Sequence, residues 1–164
     1  MLSKIVIFGN SGSGKSTLAK HLAVEGQLAH LDLDTIAWKK AEVIERESLL
    51  VSSQVINTFL TEHNHWVIEG CYADLLEIVM AEADKVIFLN LPVATCIENA
   101  KNRPWEAHKY KSKAAQDKNL AMLIDWISHY TTREDTFSKT AHKKLFDTFK
   151  GDKVMYVSNN RCKE

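Results

Sequence analysis

Two prolines, three cysteines and four arginines are all that this chain of 164 residues holds of those types, and it has no excess of either charge, with 21 Lys plus Arg against 21 Asp plus Glu. The balanced charge leaves no global field that would draw the molecule to nucleic acid or to a membrane surface, so neither is expected as a partner. No apolar run approaches the roughly 20 residues that span a bilayer. The N-terminal residues run straight into a strand-like stretch, Lys4 to Phe8, so they are not expected to act as a signal peptide. Cys71, Cys96 and Cys162 are odd in number and far apart. That spacing excludes a disulfide framework and a zinc-ligand pattern, and it points to a reducing cytoplasm.

What is present is ordinary for a globular protein, with 45% apolar and 26% charged residues. The length suits one domain over residues 1–164. Short apolar runs alternate with helical periodicity. "KIVIFG" (4–9), "AHLDLD" (29–34), "HWVIEG" (65–70), "KVIFLNLP" (85–92) and "KVMYVS" (153–158) read as strands. Between them the spacing predicts helices over 15–26, 42–63, 74–83, 93–102, 119–132 and 138–150. Strands that alternate with helices imply right-handed crossovers and a parallel sheet covered on both faces. Residues 103–118 are polar and lysine-rich with no apolar face, so they read as a mobile lid over one end of the sheet.

"GNSGSGKS", Gly9 to Ser16, fits G-x-x-x-x-G-K-[S/T] between the first strand and the first helix. Its glycines allow backbone N–H groups to turn inward as an anion nest at a helix N-terminus. Gly9, Asn10, Ser11, Gly12, Ser13, Gly14, Lys15, Ser16 and Thr17 are therefore the expected nucleotide-binding residues. Lys15 would reach the β- and γ-phosphates, Ser16 would ligate Mg²⁺, and Thr17 would approach the α-phosphate.

"LDLD" places Asp32 and Asp34 at the end of the second strand, where alternation sends both to one side. Ligands of open α/β sheets bind beyond the carboxyl ends of the strands. Asp32 can then hold Mg²⁺ and Asp34 can accept the proton of an acceptor hydroxyl. Alone, the pair would read first as a loop-facing cap on the segment after the strand, and the glycine loop beside it favours the functional reading.

These motifs resemble the small P-loop kinases of the adenylate kinase and shikimate kinase group. "HLDLDTIAWK", "WVIEGCY" and "VIFLNLP" are similar to bacterial adenylate kinase-like proteins of the DNA topology modulation type. The resemblance implies a P-loop NTPase fold, an α/β three-layer architecture with a five-stranded parallel sheet in order 2-3-1-4-5, an acceptor region and a lid. It implies Arg103 at the start of the lid, stacking on adenine or touching the transferring phosphoryl, and Arg133 returning toward the acceptor. It also implies that Ser158-Asn159-Asn160 offer backbone contacts to adenine. The chain departs from the group in reading Glu69-Gly70-Cys71 where shikimate kinases carry a triple glycine, and in its few arginines, Arg46, Arg103, Arg133 and Arg161.

The expected function is phosphoryl transfer from Mg·ATP to a small-molecule hydroxyl or phosphate acceptor, by a cytoplasmic monomer or homodimer. The alternative is a nucleotide-binding regulatory protein or slow NTPase without such an acceptor. Glu69 is either a contact to a neutral or cationic acceptor or a solvated carboxylate. Trp38 walls the acceptor site or is a surface aromatic. Lys109, Lys111 and Lys113 read first as a solvated polar face, Trp66 and Trp126 as core, and His63 and His65 as loop residues.

Overall fold

The computed structural model describes residues 3–161, so Cys162 lies outside the described residues. Five strands, β1 (Lys4–Gly9), β2 (Ala29–Asp32), β3 (Trp66–Gly70), β4 (Lys85–Leu89) and β5 (Asp152–Tyr156), pair in parallel in the order β2-β3-β1-β4-β5. Seven α-helices occur among the described residues: α1 (Lys15–Gly26), α2 (Leu49–Glu62), α3 (Ala73–Met80), α4 (Val93–Lys101), α5 (Lys113–Lys118), α6 (Leu120–Ser128) and α7 (Lys139–Thr148).

The continuous apolar runs become the central strands because both of their faces are covered. Side chains alternate across a strand. Val6, Phe8, Ile68, Val86 and Phe88 accordingly pack with Ile56, Leu75, Leu76, Val79 and Leu145 of α2, α3 and α7 on one face. Ile5, Ile7, Val67, Ile87 and Leu89 pack with Ala19, Cys96, Ala100 and Ile127 of α1, α4 and α6 on the other. Each large apolar side chain buried in this way contributes roughly 1.5–3 kcal/mol. The resulting three-layer architecture and its strand order are those of a P-loop NTPase of the kinase type. Among the described residues no helix is long and apolar enough to cross a membrane.

Three elements differ from the sequence reading. The first is α5, a helix inside the stretch 103–118 where none was expected, with the Ser112 hydroxyl accepting from the Ala115 N–H at 3.1 Å at its start. The predicted helix over 42–63 begins only at Leu49, and Val43 and Ile44 are 72% and 85% exposed. An antiparallel bridge between Trp38 and Arg46 closes the intervening residues into a bent loop, and the Ser48 hydroxyl then caps α2 by accepting from the Val51 N–H at 3.2 Å. The second strand stops at Asp32 instead of continuing to Asp34. Leu33–Thr35 form a 3₁₀ turn, capped by the Asp32 carboxylate, whose Oδ1 accepts from the Asp34 N–H at 2.9 Å.

Candidate functional site

β1 ends where the glycine loop begins, and the loop opens directly into α1. Gly12 and Gly14 adopt φ of 77° and 90°, backbone that side chains rarely tolerate. A Cβ on Gly12 would in addition strike the Cys96 carbonyl oxygen of α4. α1 has no side-chain cap and no acidic residue in its first turn, so its N–H groups and dipole face the loop unopposed. The Ser13 hydroxyl is buried without a hydrogen-bond partner, and Lys15 Nζ rests on the Asn10 carbonyl at 2.8 Å. An uncapped helix start, an orphaned hydroxyl and a lysine parked on a carbonyl fit a bound polyphosphate.

Ser11, Gly12, Gly14, Lys15, Ser16 and Thr17 line a cleft of about 630 Å³. Gly9, Asn10 and Ser13 shape the loop from beneath, and the Asn10 side chain donates to the Ile127 carbonyl of α6 at 3.2 Å. Asn99 of α4 donates to the Gly12 carbonyl at 2.9 Å and pairs reciprocally with Asn159 at 2.9 and 2.8 Å. The last loop thus reaches the cleft through the Asn159 side chain. Arg161 lines the same cleft, a contribution the motif gave no reason to expect.

Parallel register sets Asp32 of β2 beside Glu69 of β3. Glu69 is neither solvated nor lining the aromatic cleft described below. It is 1% exposed, and its Oε1 accepts from the Ser16 hydroxyl at 2.7 Å. His30 Nε2 lies 3.5 Å from the same oxygen without hydrogen-bond alignment. Among the described residues no three His, Cys, Asp or Glu side chains converge closely enough to hold a metal by themselves. Ser16, Asp32 and Glu69 nonetheless supply the hard oxygens suited to Mg²⁺, which usually keeps several waters and shares nucleotide phosphates. The signal for Glu69 was present in the sequence, as the one charged residue inside the apolar run "WVIEG".

Asp32 and Asp34 share one side because the turn places them there, and strand alternation has no part in it. A single ammonium joins them, with Lys109 Nζ at 2.9 Å from Asp34 Oδ2 and 3.8 Å from Asp32 Oδ2. Lys109 therefore belongs to no solvated face, and its side chain is 25% exposed. Burial, then the Glu69 and Asp34 charges, push the Asp32 carboxyl up to about 6. Burial would also raise Asp34, but the Lys109 charge and hydrogen bonds from Tyr72 and Lys109 hold it below the ordinary carboxylate value.

The raised Asp32 value has a consequence for stability. The folded state binds this proton between the unfolded value near 3.8 and about 6, so the contribution of Asp32 is fully present below pH 4 and is lost as pH rises through 6. Asp32→Asn keeps the cap and removes the buried charge. It is expected to stabilise the ligand-free protein at pH 8 by on the order of 3 kcal/mol, at about 1.4 kcal/mol per pKa unit. Urea denaturation at pH 5 and pH 8 checks this, because an equal gain at both would mean that ionisation is not the cause.

Asp34 is held from a second direction. Trp38 Nε1 donates to the Tyr72 hydroxyl at 2.9 Å, and that hydroxyl donates to Asp34 Oδ1. The Cys71–Tyr72 segment is in turn fixed by buried His142, whose Nε2 donates to the Cys71 carbonyl at 2.7 Å while Nδ1 accepts from Tyr130 at 2.7 Å. Burial lowers His142 to about 4, so the imidazole is neutral and can accept at one nitrogen while donating at the other.

The remaining expected residues divide. Arg103 lines the nucleotide cleft and pairs with Glu106 at 3.5 Å. Arg133 lines neither cleft. Its Nη2 donates to the Trp126 carbonyl at 2.6 Å and its guanidinium stacks 3.5 Å from the Trp126 ring centroid. Trp66 is core, whereas Trp126 is 36% exposed and lines a second cleft of about 460 Å³ together with Trp38, Tyr72 and Phe137. Ser11, Asp34, Cys71 and Lys109 belong to both clefts. None of residues 103–118 is buried, and the segment braces itself through Gln116 and Trp105.

Among solved structures the chain is similar to shikimate kinase from Acinetobacter baumannii in complex with shikimate. That likeness has 23% identity over 88% of this chain and 92% of that one, with a TM-score of 0.45. It is also similar to an unliganded sugar kinase from Janibacter sp. HTCC2649, at 13% identity over 96% of this chain and 86% of that one, with a TM-score of 0.51. The second likeness is one of fold. No curated protein matches the chain. The AAA domain family matches residues 5–120, a stretch that contains the glycine loop, the strand-end carboxylates and Lys109, and the chain belongs to that family.

Proposed function

We propose that the protein transfers the γ-phosphoryl group of Mg·ATP to a small-molecule acceptor, as a single cytoplasmic P-loop kinase-like domain. The observation that carries this reading is the position of Asp34, which lies at once in the phosphate cleft and in the adjoining aromatic cleft. A nucleotide-binding protein without an acceptor has no need of a carboxylate shared between two clefts. The motifs "HLDLDTIAWK" and "WVIEGCY" support placing the chain with the adenylate kinase-like proteins of the DNA topology modulation type.

In this reading the loop N–H groups and Lys15 hold the β- and γ-phosphates. Ser16 and Asp32, with Glu69 beside them, would hold Mg²⁺, which would supply charge neutralisation at the phosphate oxygens. Asp34 orients the acceptor hydroxyl and takes its proton. Phosphoryl transfer asks for positioning and charge neutralisation more than for covalent chemistry, so these parts suffice. Arg103 and Lys109 enter from residues 103–118, acting as a lid. Lys109 bridges the two aspartates, and the Asp34 carboxylate, which takes one bond from Tyr72 and one from Lys109, keeps lone pairs for an acceptor hydroxyl beside the ammonium.

ADP release from Mg·ATP, measured with and without a broad metabolite panel, tests the reading. At least one compound is expected to stimulate release well above the basal rate. A protein that binds Mg·ATP but shows no stimulation across the panel is the regulatory or slow NTPase instead.

A further inference from the structure

The second cleft has a chemical character of its own. Trp38, Tyr72, Phe137 and Trp126 form a connected aromatic wall, with successive ring centroids 6.3, 5.3 and 5.2 Å apart. Trp38 and Trp126 remain 38% and 36% exposed there, although large aromatics ordinarily gain by being covered. The volume of about 460 Å³ lies within the range of small-molecule sites.

The cations near this wall are already engaged. The Arg46 guanidinium lies 5.9, 5.0 and 5.5 Å from the Trp38, Tyr72 and Phe137 rings. Its Nη2 donates to both Asp74 carboxylate oxygens at 3.3 and 3.2 Å, and its Nε donates to the Ala37 carbonyl at 3.2 Å. Arg133 is stacked on Trp126 and bonded to the backbone there. Neither guanidinium lines the cleft, and the lysine that does, Lys109, is held by Asp34. A phosphate or carboxylate entering here would lose its hydration, find no arginine fork and face the Asp34 charge. A flat ring finds stacking surfaces that the two guanidinium groups hold stiffly in place.

We propose that the acceptor is a flat, ring-bearing alcohol that carries neither phosphate nor carboxylate, seated between Trp38 and Trp126 with its hydroxyl toward Asp34. The hydroxyl placement rests on the phosphoryl-transfer reading, whereas the ring selectivity rests on the cleft alone.

Saturation-transfer NMR and calorimetry on the full chain with a non-hydrolysable Mg·ATP analogue separate the two. The uncharged or weakly charged probes are adenosine, thymidine and pyridoxine, and the anionic probes are AMP, dTMP and shikimate. At least one of the first set is expected to bind, at least tenfold more tightly than any of the second. Trp126→Ala should weaken that binding roughly five- to hundredfold, the scale of one lost ring stack, and Trp126→Phe should restore most of it. Anionic probes binding as well as or better than the uncharged ones would overturn the proposal. So would silence from all three of the first set at millimolar concentration, or undiminished binding to a folded Trp126→Ala protein. Because binding is read without turnover, a ring that binds but is never phosphorylated would defeat the kinase reading and leave the cleft's selectivity standing.

Discussion

Lys15→Ala is expected to weaken Mg·ATP binding roughly 10²–10⁴-fold and to bring turnover to background. Lys15 stands at the first residue of α1, behind a loop whose helix start has no capping side chain. Its ammonium rests on the Asn10 carbonyl at 2.8 Å, a single contact that a phosphate oxygen can replace at little cost. Charge-assisted hydrogen bonds are worth about 1.5–3 kcal/mol each, and a lysine spanning two phosphates makes two of them. Each 1.4 kcal/mol is a factor of ten in affinity, which gives the range stated. Lys20, Arg103 and Arg161 also line the cleft, but none of them belongs to the glycine loop, so they are not expected to replace Lys15. Calorimetric titration with Mg·ATP decides the matter. Unchanged affinity in a folded Lys15→Ala protein would remove the glycine loop as the phosphate site.

Asp34→Asn is expected to lower acceptor phosphorylation by about 10²–10⁴, the usual consequence of losing a positioned proton acceptor. Asp34 is ionised at neutral pH, because Lys109 and Tyr72 outweigh its burial. Asparagine nearly matches its shape and can still accept from Tyr72, so the fold and ATP affinity should survive. Lys109 would keep Asp32 within reach, at 3.8 Å in the parent protein. The loss should therefore be larger in acceptor phosphorylation than in basal hydrolysis, measured as ADP release with and without the compound that stimulates the parent. Parental rates in the asparagine variant would sink Asp34 as the proton acceptor and the mechanism with it.

The sequence by itself determined the sheet and the phosphate loop. A run such as "KIVIFG" has apolar residues on both of its alternating faces, and only burial between two helical layers accommodates that. The pattern G-x-x-x-x-G-K-S between strand and helix needs no distant partner, since its glycines and the helix N–H groups are local. Strand β2 was legible only as far as Asp32. The residues after it are shaped by the Asp32 side-chain cap, which no alternation rule contains. The 42–48 segment has helical periodicity in Val43 and Ile44, yet nothing packs on them, and the Trp38–Arg46 bridge prevails.

Tertiary structure decided the rest of the candidate site. Lys109 lies 75 residues from Asp34, and one lysine among several in a polar stretch carries no mark of the carboxylate it will meet. Whether Trp126 is core or cleft wall, and whether Arg133 reaches an acceptor or stacks on that tryptophan, depends on how α6 and the turn after it settle against Phe137. Local patterning sets which residues are buried on a strand or helix. The destination of a long or charged side chain is set by charges and surfaces that only the folded chain brings within a few ångströms.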